Sequence, residues 1–277
     1  MGHEFTGVIT EIGSEVKTLK VGDKVVAPFT TSWYVRRAQN QKSASPLYRP
    51  LLTPSSSECF YCRSGFSSRC ANSYLFGSPL LDGGQAEYAR IPFADGTAVK
   101  APPEIDDKAL VLMADIFPTG FFGAKNAFRM LKPVPASEAT VVVIGCGPVG
   151  LCAIVAALEH KPKHLFAVDG VESRLELAKN LGAEPLNFMK DKEGMLKRVK
   201  EASDGRGADA VIEVVGLSPA LRTAYDLLRP FGVISSIGVH NAEVSPFACP
   251  VHLGCHARGP GADCSMQIPY TGNDAYK

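Results

Sequence analysis

The glycine pattern Gly145-x-Gly147-x-x-Gly150 has the residue types and spacing of a nucleotide-binding turn. It also contains Pro148 and Val149. The pattern follows four β-branched residues, which are typical of a strand buried on both faces, as a dinucleotide site requires. The first glycine permits a tight turn, the second lets the backbone approach a pyrophosphate, and the third lets the next helix pack closely on the sheet. A glycine-rich turn that is only structural is the alternative.

A carboxylate at Asp169 strengthens the dinucleotide interpretation. It ends a second predicted strand and lies 19 residues after the last glycine of the pattern (169 − 150 = 19). At about 20 residues an acidic side chain can take the ribose hydroxyls. A carboxylate there would repel the 2′-phosphate of NADP, so the sequence favours NAD. The alternative is that Asp169 is a turn residue before Gly170.

Three cysteines have the spacing of metal ligands. The chain has 8 cysteines, and they are not spaced like a secreted disulfide framework. Cys59, Cys62 and Cys70 form the pattern C-x2-C-x7-C, which favours zinc over a disulfide. Three incidental cysteines are the alternative.

The composition excludes two classes of protein. Lys plus Arg total 29 against 28 for Asp plus Glu, without the basic footprint of a nucleic-acid binder. No segment has the apolar length needed to cross a bilayer, and the N-terminus has no basic region followed by an apolar core. With 45% apolar residues the chain can build a packed core. We expect a soluble cytoplasmic protein.

The elements that must position these residues divide the chain in two. The first part is β-rich, with predicted strands at 7–10 and 21–27 and no helical period. After residue 140, strands and helices alternate, which predicts an α/β parallel sheet with right-handed crossovers. Five strands are predicted there, at 141–144, 164–168, 186–188, 208–215 and 232–238. The predicted domains are 1–130 and 131–277.

Several motifs together resemble the zinc-dependent alcohol dehydrogenases, a medium-chain dehydrogenase/reductase family. They occur in the family's order: Gly2-His3-Glu4, Gly7-Val8, Gly22-Asp23-Lys24-Val25, the cysteine cluster and the glycine pattern. The segment from Asp115 to Gly120 is similar to the subgroup of glutathione-independent formaldehyde dehydrogenases, in which an aspartate replaces the usual cysteine ligand. A histidine of that subgroup is replaced here by Phe121 or Phe122. The resemblance implies a partial GroES-like catalytic domain followed by a Rossmann-type domain.

The resemblance also implies roles for single residues. His3 and Asp115 would be ligands of a catalytic zinc, with Glu4 as a neighbouring or alternate ligand. Thr119 would touch the nicotinamide or, equally, cap a helix. Arg174 would lie near the adenine ribose or be a solvated helix residue. The three clustered cysteines would belong to a structural zinc lobe whose first cysteine should fall at Ser56.

Two segments interrupt the resemblance, at 33–56 and 244–267, and we interpret both as intron-like inserts. The first has no apolar period and would be an unusually long loop inside a compact domain. The second contains five residues of types that bind metals, Cys249, His252, Cys255, His256 and Cys264. We expect at most adventitious metal binding by them. The resemblance further implies truncation at both ends, with an upstream cysteine ligand and a sixth sheet strand missing, and therefore weak or lost catalytic zinc.

The expected function is a zinc- and NAD-dependent oxidoreductase that transfers a hydride between a small alcohol or aldehyde and the nicotinamide. A family-like homo-oligomer is expected. The alternative, from a different class, is a catalytically incompetent nucleotide-binding remnant. Zinc content and NAD reduction with short alcohols or formaldehyde would separate the two. A zinc-free quinone reductase is disfavoured by the joint occurrence of His3, Asp115 and the cysteine cluster.

Overall fold

A computed structural model of the chain describes residues 1–32, 59–64 and 66–240. Both predicted inserts, 33–56 and 244–267, lie outside the described residues, as do Ser56 and the metal-ligand types of the second insert. The chain forms two compact units, Met1–Asp115 and Ile116–Lys277. No helix among the described residues has the length and apolar character to cross a membrane.

The first unit is built on a small antiparallel sheet in the order β1-β2-β3. Its strands are β1 (Phe5–Val8), β2 (Lys24–Ala27) and β3 (Val99–Lys100), and its short helices are α1 (Phe60–Arg63), α2 (Ala94–Thr97) and α3 (Asp107–Leu110). The predicted bounds 7–10 and 21–27 were therefore wrong. The backbone turns at Gly22, whose φ is +88°, and the Asp23 carboxylate accepts the Lys20 N–H, so residues 21–23 cannot extend the strand.

The second unit is the predicted parallel sheet with helices between its strands. Its elements are α4 (Ile116–Met130), β4 (Thr140–Ile144), α5 (Pro148–Leu158), β5 (His164–Asp169), α6 (Glu172–Leu181), β6 (Glu184–Asn187), α7 (Lys192–Ala202), β7 (Ala208–Glu213), α8 (Ser218–Leu227) and β8 (Leu228–Ser236). The strand order is β6-β5-β4-β7-β8, with every pairing parallel. The predicted fold class is confirmed, and the strand bounds move by a few residues.

Both faces of this sheet are covered by apolar clusters. Alternate side chains of a strand point to opposite faces, and β4 shows this directly. Val141 and Val143 pack in one cluster with residues of α4, α5 and α6, whereas Val142 and Ile144 pack in the other with residues of α7 and α8. All five residues of β4 are buried, as predicted for a strand with two covered faces.

The second unit begins earlier than residue 131, because α4 is part of it. The reason is close helix packing through small residues. A Cβ on Gly120 would lie 2.6 Å from the Ala153 nitrogen of α5, and a Cβ on Gly123 would lie 2.7 Å from the Ile237 side chain. Thr119 is the fourth residue of α4, so it does not cap that helix.

Candidate functional site

The backbone around His3 is held by a group of glycines. The Gly84 N–H donates to the Gly2 carbonyl at 3.0 Å, and the Gln85 N–H donates to the Met1 carbonyl at 3.0 Å. A Cβ on Gly83 would lie 2.2 Å from the Gly2 oxygen, so only glycine allows this approach. The sequence analysis missed the part that Gly83 and Gly84 play in fixing His3, because a Gly-Gly pair by itself does not indicate which backbone it approaches.

The β1–β2 ladder then brings His3 to Asp115. The pairing of Phe5 with Ala27, continued two residues outward, sets His3 opposite Phe29, and their rings meet edge to face at 6.1 Å. The Phe29 N–H donates to the Ala114 carbonyl at 3.2 Å, which holds the next residue, Asp115, beside the ladder. His3 Nε2 lies 3.2 Å from Asp115 Oδ2, although the two residues are 112 positions apart.

This pair offers ligand atoms to solvent. The His3 side chain is 42% exposed and that of Asp115 is 24% exposed. An imidazole nitrogen and a carboxylate oxygen are both zinc ligands, and a catalytic site keeps a position open for substrate. The pair therefore supplies two of the three protein ligands that a catalytic zinc site uses. Glu4, the predicted neighbouring or alternate ligand, is exposed.

The three predicted cysteine ligands form one cluster. Cys59 precedes α1, Cys62 lies within it, and Cys70 follows the 3-10 helix Ser67–Arg69. Their sulfur atoms all lie within 4.8 Å of one another, and all three are free thiols. Sulfurs that share a zinc ion at about 2.3 Å each lie at comparable separations. The cluster therefore fits a structural zinc site.

The surroundings of these sulfurs shift their pKa values in opposite directions. The Ala71 N–H donates to Cys59 Sγ at 3.4 Å, and such backbone donors lower the pKa of Cys59 to about 7. Burial, followed by the neighbouring Cys70 and Cys59, raises the pKa of Cys62 to about 12. A bound cation reverses this rise, because a coordinating thiol is deprotonated.

In the second unit, the glycine pattern forms a turn from β4 into α5. Gly145 has φ +95°, in the left-handed region that glycine tolerates. A Cβ on Gly150 would lie 1.8 Å from the Gly145 oxygen, so the close packing expected of the third glycine is present. Gly147 caps α5, Pro148 occupies its first turn and is exposed, and Val149 packs against the core.

The space above Gly147 is open. A Cβ built there meets no atom within 4 Å, whereas the other two glycines of the pattern are closely packed. The N-terminus of α5 begins at this point, and helix N-terminal amides with the helix dipole favour phosphate. The turn therefore fits a pyrophosphate.

Asp169 is tied to the same turn. One carboxylate oxygen accepts the Cys146 N–H at 2.8 Å, and the other accepts the Val171 N–H at 2.9 Å. Asp169 therefore also acts as a turn residue, which was the alternative interpretation of this position. An ionised carboxylate oxygen has two acceptor sites, so each oxygen keeps one for a ribose hydroxyl. Arg174 Nη1 lies 3.8 Å from Asp169, with its side chain 52% exposed.

The cysteine within the glycine pattern is inert. Cys146 is fully buried, and burial, with the Asp169 charge second, raises the pKa of its thiol to about 12. A buried thiol with a raised pKa is not a nucleophile at neutral pH. Cys146 therefore contributes its backbone N–H to the turn, and its side chain fills space.

Comparison with known protein families gives two matches. The family described as "Alcohol dehydrogenase GroES-like domain" matches residues 1–103, and the family described as "Zinc-binding dehydrogenase" matches residues 148–254. Together they cover the parts of the chain that hold His3, the cysteine cluster, the last glycine of the glycine pattern and Asp169.

Several named proteins are similar to the chain. It is 56% identical to "Zinc-type alcohol dehydrogenase B" of Aspergillus flavus over 276 residues, covering 100% of this chain and 54% of that protein, so the chain spans about half of its relative's length. It is 54% identical to "Medium chain reductase/dehydrogenase ucsI" of Acremonium sp, covering 90% of this chain and 77% of that protein. It is 32% identical to "NADP-dependent isopropanol dehydrogenase" of Clostridium beijerinckii, covering 92% and 65%.

A solved structure agrees with the fold. "Alcohol dehydrogenase TADH from Thermus sp. ATN1" superposes with a TM-score of 0.73 at 31% identity, covering 90% of this chain and 64% of that one.

Proposed function

The chain belongs to the zinc-type alcohol dehydrogenase family, and from that premise we propose that it is a zinc- and NAD-dependent oxidoreductase. The proposed reaction transfers a hydride between a small alcohol or aldehyde and the nicotinamide. The observation that carries the proposal is the 3.2 Å contact between His3 Nε2 and Asp115 Oδ2, which joins two zinc-ligand types from distant parts of the sequence.

Each part of the proposed site has a task for this chain's own residues. His3 and Asp115 would hold a catalytic zinc, which when bound polarises the oxygen of an alcohol or aldehyde. The open turn at Gly147 would receive the pyrophosphate. Asp169 would accept from the ribose hydroxyls, with Arg174 close by. We retain Thr119 as a proposed nicotinamide contact.

The substrate and cofactor preferences are narrower proposals. The carboxylate of Asp169 would repel a 2′-phosphate, which supports NAD over NADP, although two relatives are named as NADP-dependent. Asp115 in place of a cysteine ligand supports the formaldehyde dehydrogenase subgroup. The cytoplasmic location and a family-like homo-oligomer are further proposals, and they rest on the sequence and the resemblance.

The proposal is tested by zinc content and activity of the full chain. We expect zinc at the cysteine cluster, more weakly bound zinc at the His3–Asp115 pair, and NADH formation with short primary alcohols or with formaldehyde. His3→Ala and Asp115→Ala should each abolish activity and remove one zinc ion, whereas Cys62→Ser should remove the other zinc ion. Asp82→Ala is a matched control, because this exposed carboxylate lies in the same unit.

Two results would contradict the proposal. Full activity in His3→Ala would exclude the proposed catalytic centre. Dinucleotide binding without zinc and without turnover would favour the nucleotide-binding remnant.

A further inference from the structure

A buried carboxylate outside the predicted site lies at the end of β7. Glu213 is 0% exposed. Its Oε1 accepts the N–H groups of Val215 at 2.8 Å and Gly216 at 2.7 Å. Its Oε2 accepts the Ser236 hydroxyl at 2.6 Å, and His240 Nε2 lies 3.8 Å from the same oxygen. Burying a charge is costly unless hydrogen bonds compensate it, and here three donors do so.

Val215 and Gly216 belong to the loop after β7, Ser236 is the last residue of β8, and His240 belongs to the loop after β8. We call residues 214–216 the β7 loop and residues 237–240 the β8 loop. Their backbones touch, since a Cβ on Gly238 would lie 2.1 Å from the Gly216 nitrogen. The Ile237 N–H also donates to the Glu213 carbonyl at 2.8 Å. Main chain and side chain of Glu213 thus join the two loops.

The β7 loop is also a wall of the glycine turn. A Cβ on Gly145 would lie 2.8 Å from a Val215 methyl carbon and 2.9 Å from a Val214 methyl carbon. A Cβ on Gly150 would lie 3.3 Å from the same Val214 carbon. The position of the β7 loop therefore limits where the turn can lie.

We propose that Glu213 is a positioning residue for dinucleotide binding, because its carboxylate ties the β7 loop, which is a wall of the glycine turn, to the end of β8. This inference rests on the proposed function, since it assigns a part to Glu213 in the same dinucleotide site. Glu213 acts through the loops and is not itself a cofactor contact. Removal of the Glu213 carboxylate leaves three donors without an acceptor. The loops are then no longer held in a single conformation.

The test compares NADH dissociation constants and melting temperatures of full-chain variants. Glu213→Ala should weaken NADH binding by about tenfold or more, as expected for lost hydrogen bonds to a charged group. Glu213→Gln should stay within about threefold of wild type, because its amide oxygen still accepts both backbone N–H groups and its NH2 donates to the Ser236 oxygen. Near-wild-type NADH affinity in Glu213→Gln would show that the hydrogen bonds of this side chain, and not its charge, position the loops.

Asp209 provides the matched control. It lies on the same strand, is also 0% exposed, and accepts the Thr140 N–H at 2.8 Å while pairing with Arg229. It is at the amino end of β7, away from the glycine turn. Asp209→Ala should lower the melting temperature and leave NADH affinity within about twofold when measured where the chain is folded, because its loss affects only stability.

The outcomes separate the two proposals. No NADH binding by the wild-type chain refutes the proposed function and this inference with it. Tight binding by wild type together with unchanged affinity in Glu213→Ala, or equal weakening in Asp209→Ala, overturns only the inference. If Glu213→Ala does not fold, Ser236→Ala decides instead: we expect about threefold weaker binding from the loss of the hydroxyl's hydrogen bond to Glu213, and unchanged affinity would overturn the inference.

Discussion

A single methyl group at Gly147 should separate dinucleotide binding from folding. Gly147 has φ −70° and ψ −174°, which alanine adopts readily, and the added Cβ would meet no atom within 4 Å. Alanine gains about 0.4–1 kcal/mol by restricting the unfolded chain. It is also a poorer N-cap than glycine, which costs roughly as much. The two effects offset each other, so the free energy of unfolding should change by less than about 1 kcal/mol.

The effect of Gly147→Ala on binding should be large. The methyl group would stand in the open space that we propose for the pyrophosphate, in front of the amides of α5. The phosphate must then retreat, and losing even one charge-assisted hydrogen bond costs about 1.5–3 kcal/mol. We therefore expect the dissociation constant for NADH to rise by at least about tenfold.

Fluorescence titration with NADH and thermal unfolding of the same samples provide the assay. Gly13→Ala is the control, because a Cβ there also meets no atom within 4 Å and the residue lies in the other unit. The reasoning is refuted if Gly147→Ala binds NADH as tightly as wild type, since the pyrophosphate would then lie elsewhere. A joint fall of affinity and melting temperature would show that the substitution acts through the fold.

Three further predictions use other sites. Gly150→Ala should prevent folding of the second unit, because its Cβ would lie 1.8 Å from a backbone oxygen; a soluble variant with a wild-type melting temperature would contradict this. In the zinc-free chain, iodoacetamide should label Cys59 before Cys62, whose pKa values are about 7 and about 12, and peptide mass spectrometry should show zinc protecting both. The hydrogen bond from Lys100 lowers the pKa of the Asp23 carboxyl from its ordinary value of 3.8. The pair therefore stabilises the folded chain above pH 3.8, and this stabilisation is lost as the pH falls through the lower pKa of the folded state. The melting temperatures of wild type and Lys100→Met should therefore differ at neutral pH and converge in acid; a constant difference would count against the pair.

The second unit was predictable because its signals are local. The five β-branched residues of β4 indicate a strand covered on both faces, and the glycine pattern after them fixes the turn into α5. Right-handed crossovers then leave few topologies for alternating strands and helices. The C-terminal end of α6 was likewise set by one residue, Gly182, whose φ is +112°.

The domain boundary was not predictable from local signals. The buried residues of α4 are mostly glycine and alanine, which is compatible with either domain. What assigns α4 to the second unit is the contact of Gly120 with the backbone of α5, and that contact depends on tertiary packing.

The two candidate metal sites also differ in how far the sequence alone predicts them. Cys59 and Cys62 are three positions apart, so one turn of helix brings their sulfurs together, and spacing alone predicted the cluster. His3 and Asp115 are separated by most of the first unit. Their contact depends on the β1–β2 ladder and on the single hydrogen bond from the Phe29 N–H to Ala114, and neither leaves a pattern in the sequence. Only the resemblance to a family pointed to that pair.

The carboxyl edge of the sheet explains why one of two similar carboxylates was found and the other missed. Asp169 ends β5 and Glu213 ends β7, and these strands flank β4 on either side. Each accepts backbone N–H groups of the loop that follows it, so both give the edge a fixed shape. Asp169 also accepts the Cys146 N–H inside the glycine turn. Its number of residues from the glycine pattern is typical of a ribose-binding carboxylate, so the sequence predicted it. Glu213 reaches the turn only through Val214 and Val215, and its hydrogen-bond partners come from the β7 loop and from the end of β8. A residue whose effect passes through packed neighbours has no characteristic spacing, so its role emerges only from the folded chain.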